Sequence, residues 1–278
     1  MGLMVITGAS GRLGGRVARR LDGAKRLLVR DAGRAPDIEG ADVAVAAYRD
    51  GDAVRRGLEG AETVFMVSAA EAPDRVTEHR SFVDAAVRAG VRHLVYTSFM
   101  GAAADASFTL ARDHWATEEH IRDSGLAFTF LRDNLYADFL PFMVGEDGVI
   151  RGPAGDGRAA VVAQDDIVDA ALAVLRDPGA HEGRTYDLTG PAALSLTEVA
   201  AEIAAATGRQ VRYHAESIPE AYASRASYGA PDWQVEAWVS TYTAIAKGEL
   251  AAVSTAVPDL TGHPATTLAE LLSKGSAA

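Results

Sequence analysis

A chain of 278 residues with 48% hydrophobic and 23% charged side chains has the composition of an ordinary globular protein, long enough to bury a full core. Its 27 Lys and Arg against 38 Asp and Glu leave a formal charge of −11, which argues against the broad positive footprint that nucleic acid or an anionic membrane requires. Cysteine is absent, so disulfides, thiolate catalysis and zinc–thiolate sites are excluded.

The opening stretch, Met1-Gly2-Leu3-Met4-Val5-Ile6-Thr7, reads as a strand with no leader pattern, and no apolar run approaches the length of a membrane span. The cytoplasm is the expected compartment. Short apolar runs then alternate with amphipathic stretches, the pattern of a parallel sheet flanked by helices. Strands are predicted at Leu3–Thr7, Arg26–Arg30, Asp42–Ala46, Thr63–Val67, Arg92–Thr97 and Ala127–Leu131. Helices are predicted near Arg12–Leu21, Asp52–Leu58, Asp74–Ala89 and Thr109–Asp123, with Gly90 and Gly125 as left-handed helix ends. Past Leu131 the pattern loosens into a Gly/Pro-rich segment from Gly145 to Gly157. A strand near Arg158–Ala163 follows, and Asp165-Asp166 is expected to cap a helix to about Arg176. A strand at Thr185–Thr189, a helix at Leu196–Thr207, a strand at Gln210–His214 and helices around Pro219–Tyr228 and Pro231–Lys247 complete the reading. The expected organisation is an α/β, Rossmann-type doubly wound domain over residues 1–145 and a smaller α/β substrate lobe over 146–278, intertwined with the first.

The stretch Thr7-Gly8-Ala9-Ser10-Gly11-Arg12-Leu13-Gly14 joins the first strand to the first helix, with glycines spaced G-x-x-G-x-x-G. Such spacing serves a tight turn, close backbone approach to a pyrophosphate and close helix–strand packing. The helix start favours the phosphate charge, and Ser10 and Arg12 can add contacts. A glycine-rich turn without ligand is the competing reading. The end of the second strand bears on the cofactor: NAD sites usually place an acidic side chain there for the ribose hydroxyls. Here the strand ends Leu28-Val29-Arg30, followed by Asp31 and Arg34. Arg30 can face the extra phosphate of NADP, supported by Arg34, so NADP(H) is expected in preference to NAD(H). The alternative gives the ribose to Asp31 and leaves Arg30 solvated.

These residues, with Tyr96-Thr97-Ser98, Thr117-Glu118, Leu131-Arg132 with Tyr136, Gly155-Asp156-Gly157, His181-Glu182-Gly183 and Gly262-His263-Pro264, resemble the NmrA-like atypical short-chain dehydrogenase/reductases. Within them the likeness is to the quinone oxidoreductase and triphenylmethane reductase branch. The resemblance implies a Rossmann domain, a small C-terminal lobe and an active site in the cleft between them. It places the nicotinamide near Ser68, Ser98 and the Asn134–Tyr136 turn. The cofactor-binding set so expected is Gly8, Ser10, Gly11, Arg12, Leu13, Gly14, Arg30, Ser68, Thr97, Asn134 and Tyr136. Relatives often carry an acid after the third strand to contact adenine; Ala47 stands there, leaving Tyr48 or Asp50 to substitute.

No Tyr-x-x-x-Lys pair follows the fifth strand, so the usual proton donor of short-chain dehydrogenases is missing. Quinones and triarylmethyl cations tolerate that absence, because orientation against the nicotinamide supplies most of their catalysis. The implied activity is hydride transfer from NADP(H) to a quinone or similar planar conjugated acceptor. Two rivals are a non-catalytic dinucleotide-binding redox sensor and a specialised carbonyl, imine or alkene reductase. The catalytic candidates are His114, as proton donor or as a buried residue paired with Glu118; Ser98, as carbonyl ligand or strand cap; and Tyr136, as pocket wall or donor. Of the aromatics Tyr222, Tyr228, Trp233, Trp238 and Tyr242, one or two are expected to face substrate and the rest to pack the core. No histidine spacing suggests a metal site, and the expected partner is a small planar molecule, with a homodimer left open.

Overall fold

The computed structural model describes residues 2–275. In chain order its strands are β1 (Leu3–Thr7), β2 (Lys25–Val29), β3 (Ala41–Val45), β4 (Ala61–Met66), β5 (His93–Phe99), β6 (Ala127–Asp133), β7 (Val149–Gly152), β8 (Arg158–Ala159), β9 (Arg184–Leu188), β10 (Leu194–Ser195) and β11 (Arg212–Ala215). The helices are α1 (Arg12–Arg20), α2 (Gly51–Leu58), α3 (Arg75–Arg88), α4 (Thr109–Asp123), α5 (Gln164–Arg176), α6 (Leu196–Thr207), α7 (Ile218–Arg225), α8 (Asp232–Ala246), α9 (Ala256–Thr261) and α10 (Leu268–Gly275). No helix among the described residues is long and apolar enough to cross a membrane.

Two compact units share the chain. The first holds residues 2–99 and adds Asp113–Arg132 and Ile167–Tyr186; the second takes Met100–Arg112, Asp133–Asp166 and residues 187–275. The chain thus passes between units after 99, 112, 132, 166 and 186, where the sequence suggested a boundary near 145 with the two parts intertwined. The cause is topological: β6 and β9 complete the first unit's sheet only after excursions into the second.

The first unit is built on a seven-stranded sheet in the order β3-β2-β1-β4-β5-β6-β9. The pairs β1–β2, β1–β4, β2–β3 and β4–β5 are parallel. From β1 the chain winds outward to β3, then returns across to β4 and winds the other way. Right-handed crossovers therefore put α1 on one face and α2, α3 and α4 on the other. A core on the latter face joins Val5, Leu28 and Val64 of the strands to Val54 and Leu58 of α2, Phe82 of α3 and Ile121 of α4. Burial on both faces explains why β4 and β5 read as nearly unbroken apolar runs. The order reverses between β1 and β4, so their carboxyl ends form the crevice where ligands of such sheets bind.

In the second unit β7 pairs with β11 in parallel, and the two-residue strands β8 and β10 pair antiparallel. Helices α6 and α7 each begin with a capping box, Ser195 with Glu198 and Ser217 with Glu220. The strand expected over 158–163 stops at Ala159. Beyond it the backbone bonds scatter: Ala160 N–H goes to Leu250 O, Val162 N–H to Leu135 O, and Val162 O accepts from Ala137 N–H. Helix α5 starts at Gln164, and Asp166 does not cap it; its carboxylate takes the backbone N–H and hydroxyl of Thr266 at 2.7 and 2.8 Å.

Candidate active site

A pocket of about 400 Å³ in the first unit is lined by Gly8, Ser10, Gly11, Arg12, Leu13, Gly14, Arg30 and Ser68, eight residues of the expected cofactor set. Its geometry suits a dinucleotide. Gly11 is the N-cap of α1 and brings no side-chain cap to its first turn, where no acidic residue lies, so those N–H groups suit an anion. At Gly14 a Cβ would lie 2.5 Å from the carbonyl oxygens of Thr7 and Gly8, so only glycine lets the helix pack this closely. Arg30, at the end of β2, lines the pocket. Asp31, the residue an NAD site would use, instead accepts the N–H of Gly33 at 2.9 Å as the cap of a short 3₁₀ turn. Arg34 does not line the pocket, whereas Arg49, unremarked in the sequence, does. Asp50 does not line the pocket; its carboxylate caps α2 through the N–H of Ala53. Tyr48 lines the pocket while its hydroxyl donates to Val67 O at 2.6 Å and meets Thr7 Oγ1.

The wall formed by Val67, Ser68 and Ala69 is held from behind by buried side chains. Thr7 Oγ1 accepts the N–H of Val67, and Thr97 Oγ1 accepts that of Ser68 at 2.8 Å. Thr97 therefore supports the pocket without lining it. Ala69 is gripped at both ends: its N–H donates to His79 Nε2 at 2.8 Å and its carbonyl accepts Arg75 Nε–H at 2.9 Å. These bonds dictate tautomers. With Nε2 accepting, His79 carries its proton on Nδ1, which faces Thr117 Oγ1 at 2.9 Å. Arg75 donates likewise to His114 Nε2, leaving the His114 proton on Nδ1 against the Tyr96 hydroxyl at 3.0 Å. Burial and the Arg75 charge hold both histidines well below the usual imidazole range. His114 is thus a neutral, buried support behind the wall, bonded to Arg75 and Tyr96 and not, as the helical spacing suggested, to Glu118. That carboxylate accepts from the Ser98 hydroxyl at 2.6 Å and from Arg132 at 2.7 and 2.8 Å. Ser98 is 3% exposed, and its one proton goes to Glu118.

The second unit holds a cavity of about 840 Å³. Tyr136, Phe139, Trp238 and Tyr242 give it aromatic walls, Leu140 and Val161 aliphatic ones, and Tyr228 its partly exposed side. Of the five aromatics singled out in the C-terminal helices, three face this space; Tyr222 and Trp233 do not line it. Gly152 makes room for Tyr242, since a Cβ there would lie 2.2 Å from its ring. Arg225 lies 5.1 Å from the Tyr242 ring centre and is neutralised by Glu216 at 2.8 Å. The other arginine of the lining, Arg151, is paired with Asp147, so the cavity offers no free charge. Tyr136 belongs to this cavity and not to the nucleotide pocket. Asn134 lines neither: fully buried, it donates to Met100 Sδ and Leu250 O.

Asp133, which leaves the carboxyl end of β6 beside Asn134, had no role assigned from the sequence, although an acid ending that apolar run is its signal. It is 2% exposed; Tyr136 donates to its Oδ2 at 2.8 Å, and its Oδ1 has no hydrogen-bond partner. Burial pushes its carboxyl up to about 8. No group of three or more His, Asp or Glu suited to a metal occurs among the described residues.

Comparison with known proteins agrees with this construction. The model of the NmrA-like family matches residues 2–246. An NAD(P)H azoreductase of Xenophilus azovorans is 34% identical over 99% of both chains. Quinone oxidoreductase 2 of Escherichia coli is 35% identical over 98% of both. The crystal structure of the NADPH-dependent quinone oxidoreductase from that bacterium, in complex with NADPH, superposes with a TM-score of 0.89, covering 98% of this chain and 99% of its own at 34% identity. The triphenylmethane reductase of Citrobacter, complexed with NADP(H), gives a TM-score of 0.87 at 28% identity over 99% of each chain. The chain belongs to the NmrA-like family.

Proposed function

We propose that this protein is a reductase that binds NADPH in the first unit's pocket and passes hydride to a planar conjugated acceptor, of quinone or azo type, held in the second unit's aromatic cavity. The observation that carries the cofactor choice is the exchange at the end of β2, where Arg30 lines the pocket and Asp31 is spent on a turn. A guanidinium there suits a 2′-phosphate, whereas the neighbouring Asp31 carboxylate is engaged by Gly33 and does not line the pocket. Gly8 to Gly14 and the open α1 amides take the pyrophosphate. A bound reduced nicotinamide supplies hydride. The chain's own part is to hold the pocket wall, through Thr7, Thr97, His79 and Arg75, and to present flat faces to a flat acceptor.

In this reading His114 and Ser98 position their neighbours and do not meet substrate, since their protons are committed to Tyr96 and Glu118. The relatives' names support the acceptor class: one is an azoreductase, another a quinone oxidoreductase. The test is oxidation of NADPH, and separately NADH, against benzoquinones, naphthoquinones, an azo dye and a triarylmethane dye. Turnover above the uncatalysed rate, faster with NADPH at equal subsaturating concentration, is expected. NADPH binding without turnover of any acceptor would overturn the reading in favour of a cofactor sensor.

A further inference from the structure

We infer that Tyr136, backed by Asp133, is the general acid that protonates the acceptor atom made basic by hydride transfer. The inference rests on the acceptor occupying the second unit's cavity. Tyr136 lines that cavity, and its hydroxyl lies 2.8 Å from a carboxyl that is 2% exposed and has no cationic partner among the described residues. An ionised carboxylate so placed, with one oxygen unpartnered, pays a desolvation cost that a single phenol does not offset; the protonated acid is the favoured species. The direction in which burial moves its proton affinity agrees. The heavy-atom distance serves either proton arrangement. With the carboxyl protonated on Oδ2, that O–H donates to the phenol oxygen, and the phenol's own proton is released from Asp133.

The step balances. Hydride leaves reduced nicotinamide, giving the oxidised cofactor, and the acceptor's oxygen or nitrogen gains an electron pair. The Tyr136 phenol proton moves to that atom, the Asp133 proton moves to Tyr136, and solvent later reprotonates the carboxylate. Other ionisable groups around the cavity are Arg151 paired with Asp147, Arg225 paired with Glu216, Tyr228 and Tyr242; Asp187 belongs to β9, the strand next to β6. Those arginine charges are already compensated, and Asp133 is governed by burial, with Tyr136 opposing.

The acceptors divide the possibilities. An azo acceptor needs a proton on the nitrogen that gains the electron pair; a triarylmethyl cation needs hydride alone. Positioned acids contribute about 100-fold or more. Asp133→Asn and Tyr136→Phe should therefore lower kcat with the azo dye about 100-fold, and the ratio of azo to triarylmethane turnover should fall with it. Infrared spectroscopy of the cofactor-free protein at neutral pH should show the carbonyl stretch of a buried carboxylic acid, absent in Asp133→Asn and titrating near the value to which burial raises it. Equal losses with both dyes, or a spectrum in which Asp133 is ionised at neutral pH, would overturn the inference and leave the reductase reading standing. Absence of turnover in the unaltered protein would overturn both.

Discussion

Replacing Arg30 by alanine separates the two cofactors. In the structure Arg30 lines the nucleotide pocket just past the end of β2, with Arg49 on the same lining. A charge-assisted hydrogen bond to phosphate contributes about 1.5–3 kcal/mol. Arg30 is exposed, so solvent screening moves the expectation to the lower end, about 1.5 kcal/mol, or roughly tenfold in affinity. NADH has no 2′-phosphate and should lose less than about twofold. Fluorescence titration with each reduced cofactor reads both numbers, and repeating it at higher salt should shrink the NADPH loss alone. Equal losses for NADPH and NADH would refute the phosphate role and return the ribose to the reading in which Asp31 serves it.

Gly14→Ala sets a Cβ 2.5 Å from two backbone carbonyl oxygens that cannot step aside, so a stability loss of about 1–3 kcal/mol and sharply weakened cofactor binding are expected; a normal melting temperature and affinity would sink the packing argument. His79→Phe keeps the bulk but strands the N–H of Ala69, a cost of about 1–3 kcal/mol that should appear in both thermal unfolding and cofactor affinity. His79→Gln, whose amide oxygen can accept that N–H, should recover part of both, and failure to do so would mean that His79 acts by shape alone. Stability should peak near pH 6.5. Below that value unfolded histidines take protons that His79, His114 and His93 refuse in the fold, so stability is lost on acidification. Above it the sign reverses: folded Asp133 keeps, up to about pH 8, a proton that its unfolded carboxyl has already released near 3.8. Each net proton is worth about 1.4 kcal/mol per pH unit, and Asp133→Asn should flatten the alkaline decline in a pH series of melts. An unchanged alkaline limb in that variant would refute the assignment.

Residues that act locally were legible in the sequence. The apolar run Leu3–Thr7, the glycines at 8, 11 and 14 and the helix Thr109–Asp123 follow from neighbours a few positions away, and the structure keeps the bounds read for both elements. Gly90 and Gly125 do adopt positive φ, 75° and 79°, at the helix ends expected of them. What escaped is long-range. Strand β7 is four residues between glycine-rich turns and exists because β11, some sixty residues later, pairs with it. Glu118 sits one helical turn from His114, so spacing paired them; Arg132 and Ser98, brought from β6 and β5, satisfy the carboxylate instead. Asn134 looked like a cofactor ligand from its place after β6, yet its amide is claimed by Met100 and Leu250. Arg49 required knowing that the end of β3 reaches the same pocket as the end of β2.

A division of chemical labour follows from where the protons are. In the first unit the buried polar side chains behind the pocket, Thr7, Thr97, His79, Arg75 and His114, are committed to one another or to the backbone of the wall. Such satisfied networks fix shape, because any rotation leaves a buried donor or acceptor unpaired. They serve a cofactor whose reactive atom must be held still and which brings its own chemistry. The second unit is built the other way. Its cavity is aromatic with compensated charges, and beneath Tyr136 lies the Asp133 carboxyl, one oxygen bonded to that phenol and the other without a hydrogen-bond partner. A wall of that kind selects flat molecules without selecting charge, and an acid of that kind extends reduction beyond acceptors that need hydride alone. If the acid is removed, the same pocket and cavity should still reduce a carbocation, so proton delivery is separable from binding and from hydride transfer.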